Sequence, residues 1–179
     1  MFLYASLGMM EVLFPLYMDS LFYSKASIGM LFLILSIFLV IGQPATGFWM
    51  ERSGPYALIL TGFCCLACSL SLMVVCNSFR GWVPVFMVFG VTIGALISAS
   101  MLLIAQNSRP GEQGAAYGIW NFSFSVGYLW GPALGGMLSD FSHSAMPSMG
   151  FKTPFFFFSV LIICCAVLFK LLVRKPEKG

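Results

Sequence analysis

The chain has 179 residues, of which 60% are hydrophobic and only 8% charged, with a formal net charge of +3 and a mean hydropathy of +0.96. A soluble domain carries about 25% charged residues and covers its surface with polar groups, so this composition excludes an ordinary soluble domain. Nine Lys and Arg spread over short connections make no nucleic-acid surface. No nucleophile–base pair, phosphate loop or metal cluster points to an enzyme, a cofactor or a bound metal.

Six apolar segments follow one another, over residues 1–18, 27–50, 55–76, 82–105, 115–138 and 154–173. A spanning helix needs roughly 17–25 residues, so the expected fold is an all-α membrane protein: a six-helix bundle over 1–174 with a short basic tail at 175–179. The first segment is short and has no polar leader, which reads as a chain that starts inside a helix, a fragment or a shortened form. It also holds the first candidate. Glu11 lies about seven residues, roughly 10 Å, from the far end of its span. An ionisable group at that depth costs at least ~2.5 kcal/mol and is a functional candidate by default. Pro15 removes the hydrogen bond to the Glu11 carbonyl, and a carboxylate beside a freed carbonyl suits a proton or cation site in an interrupted helix.

The second segment contains Gln43-Pro44, a polar group at an expected kink. The stretch Gly47-Phe-Trp-Met-Glu51-Arg52-Ser-Gly54 joins it to the third, where Glu51 can face the dipole of a helix starting near Pro55. Cys65 and Cys68 have metal-like spacing, but inside an apolar helix without a second pair they read as small apolar residues, as do Cys64, Cys76, Cys164 and Cys165. The fourth segment carries no charge. The fifth contains Gly127-Tyr-Leu-Trp-Gly131-Pro132-Ala-Leu-Gly135-Gly136. Glycines four apart let another backbone approach closely. Asn121, Ser125 and Tyr128 fall on an edge about a right angle away, with Trp120 and Phe124 nearby. That face is expected to line a cavity, where aromatic rings can hold an amine. The sequon Asn121-Phe-Ser123 sits within a span and is discounted. His143 stands alone in the fifth connection.

Basic residues set the orientation. Lys25, Arg80 and Lys152 lie on one side, against Arg52, Arg109, Lys170, Arg174, Lys175 and Lys178 on the other. The positive-inside rule then puts both termini in the cytoplasm.

Together these strings resemble the major facilitator superfamily. Gly47 to Gly54 is similar to its loop signature G-x-L-x-D-R-x-G-R-R. Gly47, Arg52 and Gly54 match, Glu51 replaces Asp, Trp49 replaces Leu, and Pro55 and Tyr56 replace the basic pair. Gly127 to Gly136 is similar to the antiporter signature of drug:proton exchangers. The uncharged fourth segment and the basic tail resemble the C-terminal half, the seventh to twelfth spans of a full transporter. Within the superfamily, the strings at Leu7–Pro15, Phe89–Gly94 and Val126–Gly136 most resemble vesicular amine and polyamine transporters. Monoamine members carry acids where Ile97 and Asn121 stand here, so the resemblance implies a polyamine-like or other organic cation instead.

The resemblance implies a secondary transporter with protons and an organic cation or amine as substrates, embedded in a vesicular, endomembrane or plasma-membrane bilayer. It also implies a missing N-terminal half or a second membrane chain as partner, since substrate binds between two halves. Glu11 would alternate between proton and cation. An alternative reading is a truncated, non-transporting membrane protein that assembles with or regulates a full transporter.

Overall fold

The computed structural model describes residues 1–109, 111–145 and 150–172, and every regular element among them is a helix. These are α1 (Phe2–Ser20), α2 (Lys25–Val75), α3 (Phe79–Asn107), α4 (Gln113–Ala145) and α5 (Thr153–Leu172).

Helix α2 has 51 residues. Drawn straight it would be about 76 Å long, more than twice the ~30 Å hydrocarbon core of a bilayer. It does not run straight. Gly54 breaks it with φ 76° and ψ 160°, a conformation open almost only to glycine. Eight residues before the break, the Thr46 hydroxyl donates to the Ala95 carbonyl of α3 at 3.2 Å. Eight residues after it, Gly62 lies against Leu96, where an added Cβ would come within 2.6 Å. Both limbs thus meet the same level of α3, and the chain reverses at Gly54. The limbs 25–53 and 55–75 coincide with the second and third apolar segments, so six helical limbs overlap the six segments read from sequence. Pro55 opens the second limb, as a first-turn proline can.

Some boundaries move. Helix α3 starts at Phe79, not 82, and α4 continues to Ala145, not 138. Apolar runs stop at the first polar residues, whereas helical hydrogen bonding continues past them. In α4, for instance, Ser144 donates its hydroxyl to the Asp140 carbonyl at 3.0 Å. The expected basic tail at 175–179, with Arg174, and part of the longest connection (146–149) lie outside the described residues.

The interior is built around α1 and α3. Met9, Met10 and Phe14 of α1 are fully buried with Trp82, Phe86, Phe89 and Ile93 of α3. Leu66 and Leu70 from the second limb of α2, and Phe158 and Ile162 from α5, complete this core. Large apolar side chains also point outward, among them Leu33, Leu129, Val167 and Leu171. Water would penalise such a surface and lipid does not. Helices α2, α3 and α5 are long and apolar enough to cross a membrane. Helices α1 and α4 fall short of that measure, because they carry Glu11, Asn121 and the glycines that dilute apolar character.

One end of the bundle is closed by aromatic packing. The Trp82 indole donates to the Met73 carbonyl at 3.2 Å, and its ring meets Phe14, Tyr17 and Tyr23 edge-on at 5.4–6.1 Å. Asn77 accepts from both the Tyr17 hydroxyl and the Lys152 ammonium at 3.4 Å.

Candidate functional site

The two helices with the strongest sequence signals pack against each other. Gly127 and Gly131 of α4 face the backbone of α1, where a Cβ on either would collide with the carbonyls of Met1 and Ala5. Gly8 of α1 faces α4 in return, 2.7 Å from the Tyr128 carbonyl to an added Cβ and 3.3 Å from the Pro132 ring. Gly135 receives the side chains of Met9 and Leu13. Small residues on both partners therefore let the backbones touch. Gly136, next in the string, has open space around it and takes no part in this contact.

This close approach fixes the register of the polar groups. Glu11 lies one turn beyond Gly8 on α1, and the Tyr128 hydroxyl of α4 donates a hydrogen bond to its Oε2. The carboxylate is half-buried and Tyr128 is 38% exposed, so the pair lies at the edge of the bundle. One oxygen of Glu11, Oε2, is engaged by the tyrosine.

Trp120, Phe124 and Tyr128 form a stacked row along α4. Successive centroids are 6.3 and 5.8 Å apart, with planes 20° from parallel. Tyr4 of α1 meets the first two rings edge-on at 5.7 and 4.5 Å. The rings therefore build a ladder that leads to Glu11, with each inner face partly covered by its neighbour. They do not form an open box around one point. Asn121 and Ser125 are exposed on the edge of α4 adjoining this row.

The remaining candidates stand apart from Glu11. Gln43 is exposed on α2, one residue after Gly42. Gly47, Glu51 and Arg52 are exposed near the Gly54 reversal. The Arg52 guanidinium sits 5.5 Å over the Phe48 ring, a cation–π contact. Gly47 has nothing near an added Cβ, and Gly54 is needed for its backbone angles instead of for space. Among the described residues, no group of three or more His, Cys, Asp or Glu could hold a metal.

Sequence reasoning missed the contacts of four residues. Tyr4 carries no contrast in an apolar helix, although it falls seven residues before Glu11, two helical turns away on the same face. Thr46 is buried and its hydroxyl reaches the carbonyls of both Gly42 and Ala95, at 3.1 and 3.2 Å. Gly90 and Gly94 of α3 press on the backbone of the first limb of α2 at Leu35 and Leu39, a contact that their four-residue spacing could have suggested.

A family model described as Major Facilitator Superfamily matches residues 1–179. The chain belongs to the major facilitator superfamily. Among curated members, it is 24% identical over 176 residues to "Multidrug resistance protein 1" of Bacillus subtilis strain 168, covering 98% of this chain and 43% of the relative. It is 21% identical over 177 residues to "Quinolone resistance protein NorA" of Staphylococcus aureus, covering 99% of this chain and 44% of the relative. The chain thus spans a little under half the length of these relatives. Its six helical limbs are those of one half of a major facilitator fold, and the protein is an integral membrane protein.

Proposed function

We propose that these residues form the C-terminal half of a proton-coupled antiporter for organic cations, with Glu11 as the group that exchanges proton for substrate. The hydrogen bond from Tyr128 to Glu11, at a glycine-lined contact between two helices, is the observation that carries this reading. The geometry suits an exchanger for a simple reason. One carboxylate can hold a proton or a cation but not both, so each flux requires the other. Tyr128 keeps Oε2 engaged. The Trp120–Phe124–Tyr128 ladder offers its outer ring face to the apolar body of a substrate, and a cation near it gains from the ring quadrupole.

The names of the relatives, multidrug and quinolone resistance proteins, favour a broad class of apolar organic cations. An amine fits that class. A polyamine carries several charges and would need further carboxylates from the opposite half, because Glu11 is the one acidic residue at this contact. A vesicular location rests on the short strings shared with amine transporters. In this reading Gly127, Gly131, Pro132 and Gly135 hold the helix pair together as the halves rock. The Gly47–Gly54 turn, with Glu51 and Arg52, faces the cytoplasm, and so do both ends of the half. Gln43, Asn121 and Ser125 face the opposing half.

The test is uptake of a labelled lipophilic cation, such as tetraphenylphosphonium, into proteoliposomes under an imposed pH gradient. It uses the 179-residue chain and the longest natural product that contains it. We expect gradient-driven uptake by the longer product, and its loss in Glu11→Gln at unchanged protein level. Gradient-driven uptake by Glu11→Gln at the unsubstituted rate would overturn the coupling role.

A further inference from the structure

Buried hydroxyls in this bundle find carbonyls. Those of Ser6, Thr46, Ser69 and Ser159 donate to Phe2, Gly42, Cys65 and Ala67 at 2.8–3.1 Å. Thr92, midway along α3, behaves differently. It is only 8% exposed, and its hydroxyl takes no partner among the described residues. Nor is that hydroxyl sealed off, because the sealed side-chain atom without a partner among those residues is the Tyr4 hydroxyl alone. Thr92 lies in a groove of about 340 Å³ between the two limbs of α2, with α3 as its floor. Trp49 and Ser53 wall it on the first limb, Ala57 and Thr61 on the second, and Leu96 on α3. None of its lining side chains is charged. The groove opens on the outer surface of the bundle, where Thr61 and the lining residue Cys65 are exposed.

The depth of Thr92 decides what can meet its hydroxyl. Its neighbour Val91 packs on Gly42, which stands twelve residues before Gly54, about 18 Å along the limb from the turn. That is more than halfway across a hydrocarbon core of ~30 Å. Lipid tails at that depth offer no acceptor, and an unpaired hydroxyl in an apolar setting costs about 1–3 kcal/mol. Water fits poorly, since a buried water takes about three polar partners. The Thr61 hydroxyl has already spent its proton on the Ala57 and Leu58 carbonyls, and Trp49 and Ser53 lie towards the turn. The volume falls within the range of small-molecule sites, about 300–1,000 Å³.

From these observations we infer that the groove is a ligand site for a neutral lipophilic molecule whose carbonyl or similar oxygen accepts the Thr92 hydroxyl hydrogen. The ligand enters from the bilayer, and its apolar body lies along Ala57, Leu58 and Leu96. The site is separate from Glu11, holds no ion and does not depend on the transport reading. Its occupant touches both limbs of α2 and α3 at once.

Benzophenone is a suitable probe, because it has two rings, no charge and a carbonyl acceptor. Under near-ultraviolet light its excited carbonyl takes a hydrogen atom from a nearby C–H bond. The two resulting radicals join in a new C–C bond, so the whole probe adds and nothing leaves. The full 179-residue chain in proteoliposomes is illuminated over a range of benzophenone mole fractions in the lipid, and adducts are mapped by mass spectrometry. The expected result is saturable labelling at Leu58, Ala95 or Leu96. Thr92→Val keeps the shape and removes the hydroxyl. It should raise the half-saturating mole fraction about fivefold and leave the Tm of the ligand-free protein unchanged, because no internal hydrogen bond is lost. Ala57→Phe, which fills the groove from the second limb, should abolish the saturable component. In the unsubstituted chain, diphenyl sulfoxide, with a strong acceptor oxygen, should suppress labelling at a lower mole fraction than diphenylmethane, which has none. Labelling that rises without saturation shows lipid tails filling the groove and overturns the site. Equal suppression by the two competitors, or an unchanged half-saturation in Thr92→Val, overturns the role of the Thr92 hydroxyl and the inference with it.

Discussion

The bundle contains two glycine-lined helix contacts that share a design and differ in chemistry. Between α1 and α4, Gly8, Gly127 and Gly131 bring the backbones together. Between the first limb of α2 and α3, Gly42, Gly90 and Gly94 do the same. The first contact carries a carboxylate bonded to a tyrosine at the bundle edge. The second carries the buried Thr46 hydroxyl, which stays within the backbone network by reaching Gly42 and Ala95. Close packing by glycine is therefore a structural device common to both, and the ionisable pair is an addition to one. A GxxxG string by itself reports the contact and not the chemistry.

The largest effects should come from closing the gap in either contact. Gly131→Leu and Gly94→Leu each drive a side chain into a carbonyl of the facing helix, at Ala5 or Leu39. Each should cost about 3 kcal/mol or more, above the usual range for overpacking because backbone cannot step aside. Both should lose the monodisperse peak in detergent gel filtration. If Gly131→Leu alone is tolerated, the α1–α4 contact is the looser of the two and the comparison fails. Next is Gly54→Ala, which forces a Cβ into a backbone region open almost only to glycine. It should cost about 1–3 kcal/mol, read as a lowered Tm by intrinsic fluorescence.

The polar members distinguish the contacts. Thr46→Val should lower stability by about 1 kcal/mol, since it leaves the Ala95 carbonyl without that donor. Tyr128→Phe should cost less in stability, because Glu11 is only half-buried and water can replace the lost donor. In the longer product it should slow gradient-driven cation uptake, which Thr46→Val should leave near normal once protein level is corrected. Equal transport defects in the two variants would erase the distinction. The smallest effect is expected at Gly136, which has open space around it. Gly136→Ala should raise Tm slightly, by up to about 1 kcal/mol in stability, as helix propensity alone dictates.

Much of this was legible in the sequence for physical reasons. Apolar length gave six segments because lipid demands it, and Ser53-Gly54-Pro55 was readable as a connection because those residues disfavour a continuous helix. Glu11 stood out because a charge in an apolar run is costly. Its partner did not stand out. Helical spacing grouped Tyr128 with Asn121 and Ser125, and all three are exposed, yet it is Tyr128 that reaches across to bond Glu11. Which side chain crosses to a neighbouring helix depends on how two backbones slide past each other. That register is set by Gly8 meeting the Tyr128 carbonyl, a contact no single-helix pattern contains. Tyr4 was invisible for a related reason: its edge-on contacts with Trp120 and Phe124 exist only once α1 and α4 pack together.

The reversal at Gly54 has a mechanical meaning. Five residues, 108–112, separate α3 from α4, and four, 21–24, separate α1 from α2. The two limbs of α2 are separated by one. A connection that short has no slack, so neither limb can slide along its axis without dragging the other. Both limbs also touch α3 at Ala95 and Leu96, which makes these three elements a wedge that must tilt as one body. A displacement imposed on one limb is therefore passed to the other limb and to α3 together, and not absorbed in the turn between them.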